Sequence, residues 1–272
     1  MIKNIYSADA DFQWLETLRD NRNKRHAAGT FLVEGVRNIN CAVAEGWTVR
    51  LWVYDRERAL SGWAKQLLSS VPAGRWTLSP ALMEALSGRE NTSELLAVVE
   101  MRSDDISRLT LPKNRPPLVV VFDRPSNKGN LGALIRSAEA LGADGLITTG
   151  HCADLYDRET LLATMGSFFA LPALHIDSLS ALTDWYAARK AENTAWQCVG
   201  TSAHGSVVPS EVDFSRPTLL LIGNETYGLS RRLKEMSDAL AVIPMVSGSA
   251  ASSLNVACAA SILLYEITRQ RR

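Results

Sequence analysis

Short apolar runs alternate with longer stretches of mixed polarity along the second half of this chain. The runs at 117–122, 145–149, 196–201, 218–222 and 241–243 predict strands. The stretches at 130–141, 179–190 and 254–270 predict helices, and Gly142 ends the first of them. Continuously apolar strands that alternate with helices are typical of a mostly parallel sheet covered on both faces. We therefore predict an α/β fold.

The first part of the chain carries a similar but shorter pattern. Apolar runs at 30–33 and 49–54 predict strands, and residues 36–45 predict a helix that Gly46 ends. Charged and polar residues from Met101 onward then give way to a proline-rich stretch that ends at Pro117. We predict a small α/β domain over 1–105, a linker over 106–117 and a second domain over 118–272.

Composition limits the class of protein. The 272 residues are 46% hydrophobic, which is enough to bury a sizeable core. The 29 basic and 29 acidic residues balance, so contact with nucleic acid requires a local basic patch. The four cysteines and four histidines lack metal-ligand spacing, so we predict no metal site. With no signal-peptide pattern and no membrane-length apolar run, we predict a cytoplasmic protein that does not enter membranes.

Three polar clusters follow predicted strands in the second half. The segment Asp123–Arg136 breaks into a turn rich in Gly, Pro and Asn and then opens a helix, whose free amides suit an anion. It matches neither the P-loop nor the dinucleotide-binding fingerprint. Gly223–Glu225 follows the predicted strand at 218–222, and Ser249–Asn255 comes after the last predicted strand, at 241–243. Because parallel strands end at one edge of a sheet, these clusters predict a shared site.

Each cluster also has a purely structural interpretation. Arg136 can pair with Glu139 on the helix surface, and Glu225 can complement a helix N-terminus. Ser253 and Asn255 are typical N-cap residues. Capping explains each cluster separately, but it does not explain why all three lie at strand ends of one domain, so we favour the shared site.

The order and spacing of these clusters resemble a known enzyme family. Asn130 with Arg136, then Gly223–Glu225, then Ile243–Pro244 with Ser253–Asn255 resemble the three ordered motifs of the SpoU branch of the SPOUT RNA 2'-O-ribose methyltransferases. Residues 22–26 and 29–37 resemble the substrate-binding domain of that family, which is of the ribosomal-protein L30e type. The resemblance covers nearly the whole chain. It implies a C-terminal trefoil-knotted SPOUT domain with a parallel sheet, preceded by a small L30e-like α/β domain.

The resemblance also implies a cofactor, a catalytic set and a homodimer. The adenine of S-adenosylmethionine would be held by backbone groups of Thr201, Gly223, Ile243 and Leu254. Asn224 and Ser252, close to them in the sequence, would also bind the cofactor. Arg136 would be the catalytic residue, supplied across the dimer interface. Asn130 would orient that arginine or the ribose, Glu225 would position its own motif and the arginine, and Ser253 with Asn255 would hold the third-motif loop and the substrate. The proton acceptor for the 2'-hydroxyl stays open.

The substrate implied by the resemblance is RNA. Within the family the chain is most similar to members that methylate 23S ribosomal RNA and confer antibiotic resistance, so we predict 2'-O-methylation of a nucleotide, a uridine, in 23S RNA. A transfer RNA methyltransferase and a catalytically silent RNA-binding knot protein are the alternatives. The basic cluster near the N-terminus is expected to contact RNA phosphates, although a solvated helix end gives the same pattern. That cluster is Arg19, Arg22, Lys24, Arg25 and Arg37.

Overall fold

Contacts within the chain divide it into two compact units. A computed structural model describes residues 2–88 and 92–272. Unit 1 comprises Met1–Arg102 with Tyr156–Ala170, and unit 2 comprises Ser103–Leu155 with Leu171–Arg272. The sequence assigns residues 156–170 to the second domain, whereas their contacts join them to unit 1. The predicted domain boundaries and linker stay predictions.

The elements up to residue 100 form most of unit 1. In chain order they are β1 (Ile2–Asn4), α1 (Ala10–Asp20), α2 (Arg22–Ala28), β2 (Thr30–Glu34), α3 (Val36–Ala44), β3 (Val49–Asp55), α4 (Gly62–Ser70), β4 (Gly74–Leu78), α5 (Pro80–Ser87) and β5 (Leu95–Glu100). Helices α7 and α8, defined below, complete the unit.

The later elements form unit 2, with α7 and α8 as the exceptions. In chain order they are β6 (Leu118–Asp123), α6 (Lys128–Ala140), β7 (Gly145–Thr149), α7 (Arg158–Thr164), α8 (Ser167–Ala170), β8 (Ala173–Ile176), α9 (Leu179–Glu192), β9 (Gln197–Thr201), β10 (Thr218–Ile222), α10 (Arg231–Met236), β11 (Ala239–Ala241) and α11 (Val256–Gln270). Short 3₁₀ turns occur at Ile106–Arg108 and Pro209–Glu211.

Unit 1 is built on a five-stranded mixed sheet. Its strand order is β1-β4-β3-β5-β2, and β5 runs antiparallel to both of its neighbours. One face packs against the apolar side of α1, where Phe12, Leu15 and Leu18 are buried. Around Phe31 the segment 156–170 adds three further buried rings, Tyr156, Phe168 and Phe169. This segment therefore belongs to the core of unit 1.

Unit 2 is built on a six-stranded sheet in the order β11-β9-β10-β6-β7-β8. All of its strand pairs are parallel, as the alternation of apolar strands and helices predicts. The central strands β6 and β10 are buried along their whole length. Helices α6 and α11 pack together, and the Ser137 and Ser261 hydroxyl oxygens lie 2.8 Å apart between them.

The predicted elements differ from the observed ones mainly at their ends. The last strand spans Ala239–Ala241, so the prediction of 241–243 was two residues late. The last helix begins at Val256 and not at 254, because the Asn255 side chain caps it. The helix predicted from residue 130 begins earlier, at Lys128, because the Asn127 side chain caps it. The sequence prediction missed α1 and β5, among other elements.

Candidate active site

A cavity of about 530 Å³ lies in unit 2, where β9, β10 and β11 end. Its wall includes apolar residues from the first half of α11, which are Val256, Ala259, Ala260 and Leu263. The six residues that the sequence predicts as cofactor-binding all line it: Thr201, Gly223, Asn224, Ile243, Ser252 and Leu254. The structure therefore brings these six together, and their binding role stays a prediction.

Glu225 connects the end of β10 to the turn before α6. One carboxylate oxygen of Glu225 accepts hydrogen bonds from the Ser126 amide at 3.0 Å and hydroxyl at 2.9 Å. The other accepts from the Asn127 amide at 3.1 Å and from Asn130 Nδ2 at 3.3 Å. Glu225 also lines the cavity. Two of the three predicted clusters are thus joined through a single side chain.

The environment of Glu225 favours its ionised form. Burial by itself raises the pKa of this carboxyl, but the amides of Ser126 and Asn127 donate to it, and together the hydrogen bonds lower the pKa below its usual value. The carboxylate is therefore negative at neutral pH. It is the only acidic residue among the residues described as lining the cavity.

Asn130 and Asn255 join the third cluster to this network. Asn255 Nδ2 donates to Asn130 Oδ1 at 3.0 Å. The side-chain oxygen of Asn255 accepts from the Ala257 and Cys258 amides, which caps α11. Asn255 therefore has both roles that the sequence suggested, as a cap and as a member of the cluster. Ser253 lines the cavity but does not cap the helix.

The turn that carries Glu225 is fixed by backbone geometry. Asn224 and Gly228 exchange two backbone hydrogen bonds, of 3.1 and 3.0 Å, and Gly228 adopts a φ of +65°. A Cβ atom on Gly223 would lie 2.5 Å from the backbone of Gly228, so only glycine fits there. Next to this turn, at the end of the neighbouring strand β9, the Thr201 hydroxyl donates to the Leu221 carbonyl at 3.0 Å and accepts from the Gly223 amide at 3.4 Å. These contacts keep the cavity wall in one conformation.

Arg136 lies apart from this network. It occupies the third turn of α6, is exposed and does not line the cavity. Within residues 2–88 and 92–272 its guanidinium has no hydrogen-bond or ion-pair partner, so the pairing with Glu139 considered from the sequence is not seen. The residue is therefore available for a ligand outside its own chain.

Sequence reasoning missed the buried carboxylate Asp123 at the end of β6. Asp123 accepts from Thr149 Oγ1 at 2.8 Å and from the Ser230 amide at 2.7 Å, and it pairs with Arg124 at 3.0 Å. It thereby ties the end of β6 to the end of β7 and to the segment that follows β10. An acidic residue that directly follows a fully apolar strand was the available signal.

The basic cluster of unit 1 is only partly at the surface. Arg25 is 1% exposed, and its guanidinium donates to the Leu18 and Arg19 carbonyls. The prediction that Arg25 contacts RNA was therefore wrong, because a buried guanidinium cannot reach a phosphate. Arg19 is largely engaged with the carbonyls of residues 85 and 86. Lys24 and Arg37 are exposed and Arg22 is partly exposed.

Comparison with known proteins identifies the family of this chain. Residues 117–265 match the SpoU rRNA Methylase family, and residues 9–97 match the SpoU L30e-like domain. The chain belongs to the SpoU rRNA methylase family. It is 48% identical over 270 residues to the 23S rRNA (uridine(2479)-2'-O)-methyltransferase of Streptomyces viridochromogenes, an alignment that covers 99% of this chain and 93% of that protein.

Two further comparisons extend the likeness to structure and to a more distant relative. The crystal structure of the SpoU methyltransferase AviRb from Streptomyces viridochromogenes in complex with the cofactor AdoMet superposes with a TM-score of 0.91 at 48% identity, covering 97% of this chain and 98% of that one. The 23S rRNA (guanosine(2553)-2'-O)-methyltransferase RlmP of Bacillus subtilis is 28% identical over 247 residues, covering 90% of this chain and 91% of that protein.

The comparisons confirm the predicted fold, a SpoU-type domain with a parallel sheet preceded by an L30e-like domain. Membership of the SpoU family implies a trefoil knot in the C-terminal domain. The knot itself stays a prediction. In the described part of the chain no helix is both long and apolar enough to cross a membrane. Nor do the described His, Cys, Asp and Glu residues form a group of three that could hold a metal ion.

Proposed function

We propose that this SpoU protein transfers a methyl group from S-adenosylmethionine to the ribose 2'-hydroxyl of a nucleotide, a uridine, in 23S ribosomal RNA. The observation that carries the proposal is the junction of Asn130, Glu225 and Asn255 beside the cavity in unit 2. A relative that is 48% identical over nearly the whole chain and is named for methylation of a 23S uridine supports the choice of substrate.

The cavity fits S-adenosylmethionine in size and chemistry. Its volume of about 530 Å³ lies in the range of small-molecule sites. Ile243, Leu254 and Leu263 offer apolar surface to an adenine ring, while the Gly223 backbone and the Thr201 hydroxyl offer polar groups. The negative Glu225 complements a sulfonium cation. When bound, the cofactor supplies an electrophilic methyl group; Asn224 and Ser252 complete the set of residues that would hold it.

Glu225, Asn130 and Asn255 act in this proposal by positioning. Because Glu225 binds the two amides that precede α6, it holds the start of that helix against the cofactor cavity. Asn130 donates to Glu225 and accepts from Asn255, and the side-chain oxygen of Asn255 caps α11, so the network holds both side chains in place beside the cavity. Ser253 lines the same cavity. A fixed geometry of this kind lowers the entropic cost of bringing the 2'-hydroxyl in line with the methyl group.

Arg136 supplies positive charge to the reaction. A guanidinium group stays protonated at neutral pH, so it does not act as a general base. Its five donors suit a phosphate, and its charge polarises a hydroxyl group nearby. Arg136 therefore grips the backbone of the target nucleotide and favours loss of the hydroxyl proton.

A homodimer places Arg136 at the site of a second chain. Arg136 does not line the cavity of its own chain. Helix α11, which packs on α6, presents the exposed apolar residues Ile262 and Tyr265 with Cys258 one turn earlier. These positions are spaced as one helix face, and an apolar face of this kind suits burial against a second copy. Each cavity would then receive its arginine from the partner subunit.

The substrate assignment carries two consequences. We expect Arg22, Lys24 and Arg37 in unit 1 to contact phosphates of the RNA, because they are the members of the basic cluster at the surface. We also expect the protein to act in the cytoplasm, where ribosomal RNA is found. Resistance to an antibiotic that binds the large subunit stays a prediction.

The test is methyl transfer from labelled S-adenosylmethionine to unmodified 23S, 16S and transfer RNA, followed by mapping of alkali-resistant linkages. We expect label in 23S RNA with one alkali-resistant ribose, because 2'-O-methylation blocks cleavage at that position. Arg136→Ala should lower the rate at least about 100-fold, since it removes charge that acts on the reacting groups. S-adenosylmethionine binding should persist.

Arg231→Ala is the matched control, because Arg231 is an exposed arginine on α10 of the same unit. It should retain full activity. Label in transfer RNA alone would show that transfer RNA is the substrate in place of 23S RNA. Cofactor binding without methyl transfer to any of the three RNAs would favour a catalytically silent RNA-binding protein. Full activity of Arg136→Ala would refute the role given to that residue.

A further inference from the structure

Tyr227 is an exposed aromatic residue on the rim of the cavity. It lies in the turn Asn224–Gly228, between Thr226 and Gly228, both of which line the cavity. The residue is 77% exposed. Within residues 2–88 and 92–272 its ring has no aromatic, cationic or hydrogen-bonding partner for the side chain. Single exposed apolar side chains are common, so exposure alone would carry nothing.

The rigidity of the turn distinguishes Tyr227 from an ordinary surface residue. The Asn224 side-chain oxygen accepts the backbone amides of Thr226 and Tyr227, at 2.9 and 3.0 Å. The amide of the same side chain donates to the Arg124 carbonyl at 2.6 Å. Together with the backbone pair between Asn224 and Gly228, these bonds fix the backbone at Tyr227. A ring on such a turn loses little conformational entropy when it meets a ligand.

The other exposed tyrosines differ in their surroundings. Tyr6 is 71% exposed, but the Arg56 guanidinium lies over its ring at 4.4 Å. Tyr265 is 61% exposed and belongs to the apolar face of α11. Tyr227 is therefore the exposed tyrosine that combines a fixed backbone, an unoccupied ring face and a place beside the cavity.

The chemistry of the reaction indicates what this ring meets. An enzyme that reaches the ribose of one nucleotide benefits when that nucleotide leaves its stack, and an unstacked base needs a new surface. Aromatic side chains provide that surface in many RNA-binding proteins, and they do so for any base, because every base has a π-face. The rim also carries exposed apolar side chains at Met245 and Leu254, which line the cavity.

We propose that Tyr227 is a stacking platform for the unstacked base of the target nucleotide, a role that rests on the proposed RNA methyltransferase function. Tyr227 thereby holds the nucleotide at the cavity mouth while its ribose meets the methyl donor. Since stacking tolerates any base, Tyr227 contributes RNA affinity and orientation, whereas base identity is decided elsewhere.

The experiment compares Tyr227→Ala, Tyr227→Leu and Tyr227→Phe. RNA affinity is measured in the presence of S-adenosylhomocysteine with a labelled uridine oligonucleotide, and KM is measured for the 23S transcript. Tyr227→Ala should lower the affinity for the oligonucleotide and raise the KM for the 23S transcript, each by about 5- to 100-fold. This is the range that the loss of one stacked base gives. Tyr227→Leu should behave like Ala because it lacks a π-face, and Tyr227→Phe should behave like the wild type. Cofactor affinity and the mass in solution should not change.

Tyr6→Ala is the matched control, because it removes a tyrosine of similar exposure from unit 1; it should leave both RNA measurements unchanged. Unchanged RNA binding by Tyr227→Ala, a defect in Tyr227→Phe as large as that in Ala, or an altered mass in solution would each overturn the proposal. So would a wild type that does not bind the oligonucleotide. The two failures are distinguishable: active wild type with unaffected Tyr227→Ala refutes only the platform, whereas ring-dependent oligonucleotide binding without methyl transfer refutes only the proposed function.

Discussion

At the scale of single residues, Glu225 determines how the site is assembled. Its two carboxylate oxygens receive four hydrogen bonds from Ser126, Asn127 and Asn130, which come from a different strand end. No neutral side chain of the same shape can accept on both sides, because one side of an amide carries donors. The carboxylate is therefore required for the junction, independently of any contact with substrate.

We predict that Glu225→Gln loses about 1–3 kcal/mol of stability at neutral pH, because at least one amide is left facing another donor. S-adenosylmethionine affinity should fall with it. The folded-state pKa of Glu225 is lowered, so its contribution is present above the unfolded value of 4.5 and is lost as the pH falls through the folded value. The stability difference between the two proteins should therefore shrink in acid, which denaturant unfolding at several pH values measures.

Glu235→Gln provides the comparison, since Glu235 is an exposed carboxylate on α10 that pairs with Arg231. Its substitution should change stability by less than about 1 kcal/mol. A Glu225→Gln protein that is as stable as the wild type, with unaltered cofactor affinity, would contradict the role of the junction.

Arg25 shows what residue type alone leaves open. It stands next to Lys24 in a basic run, and a sequence pattern treats the two alike. In helix α2, however, adjacent residues point to different sides, so Lys24 is exposed and Arg25 is buried. The buried guanidinium is satisfied by the carbonyls that end α1 and faces Asp157 at 3.8 Å. It stabilises unit 1.

At the scale of elements, the helix pair α6 and α11 carries the dimer proposal. One side of α11 is buried in unit 2 through Ala257, Ala260 and Leu264. The other side leaves Ile262 at 43% exposure, close to the position where Ser261 meets Ser137 of α6. An apolar stripe on a helix that is already packed on one side suggests a second partner.

We predict that Ile262→Asp converts the dimer into a monomer, because burying an unpaired carboxylate in an apolar interface is unfavourable by several kcal/mol. The mass in solution, measured by light scattering, should halve. Methyl transfer should fall at least about 10-fold if Arg136 comes from the partner subunit, while the isolated chain still binds the cofactor.

Val36→Asp tests whether a new carboxylate at any exposed apolar position has the same effect. Val36 is the first residue of helix α3 in unit 1 and is exposed. An acidic residue at a helix start is tolerated, so this variant should keep the mass of the wild type. A wild type that is already monomeric and fully active would refute the proposed interface.

At the scale of the whole molecule, zero net charge makes the position of each basic residue important. With 29 residues of either sign there is no general attraction to RNA. A local cluster then has to supply the phosphate contacts. The surface members of that cluster are Arg22, Lys24 and Arg37, all in unit 1.

We predict that replacing Arg22, Lys24 and Arg37 together by Ala weakens 23S RNA binding. The salt dependence of the binding constant should also decrease, by about one unit of slope for each phosphate that the variant no longer binds. The cofactor affinity should be unchanged, because the cavity lies entirely in unit 2. Binding measured over a series of salt concentrations checks this.

The corresponding control replaces Arg231, Arg232 and Lys234, three exposed residues of α10, by Ala. This variant removes the same amount of positive charge from unit 2. It should have a smaller effect on the salt slope. Equal effects of the two triple variants would show that total charge matters and that unit 1 has no special role in RNA binding.

The sequence by itself determined the architecture of unit 2 and the composition of its site. Apolar periodicity is a local property, so five of the six parallel strands could be assigned from it, β8 being the exception, together with helices α6, α9 and α11. Parallel strands end at one edge of their sheet, so the pattern alone was enough to group the clusters at Asn130, Glu225 and Asn255. The resemblance to the SpoU family depends on the same short motifs.

Only the tertiary structure decided which residues are buried and which distant segments share a core. Residues 156–170 join unit 1 because Phe168 and Phe169 complete the aromatic cluster around Phe31 and Trp47. Arg25 is withdrawn from the surface, whereas Tyr227 is presented on a fixed turn. These outcomes depend on contacts between residues far apart in the chain, and no local pattern encodes the free energy of such contacts.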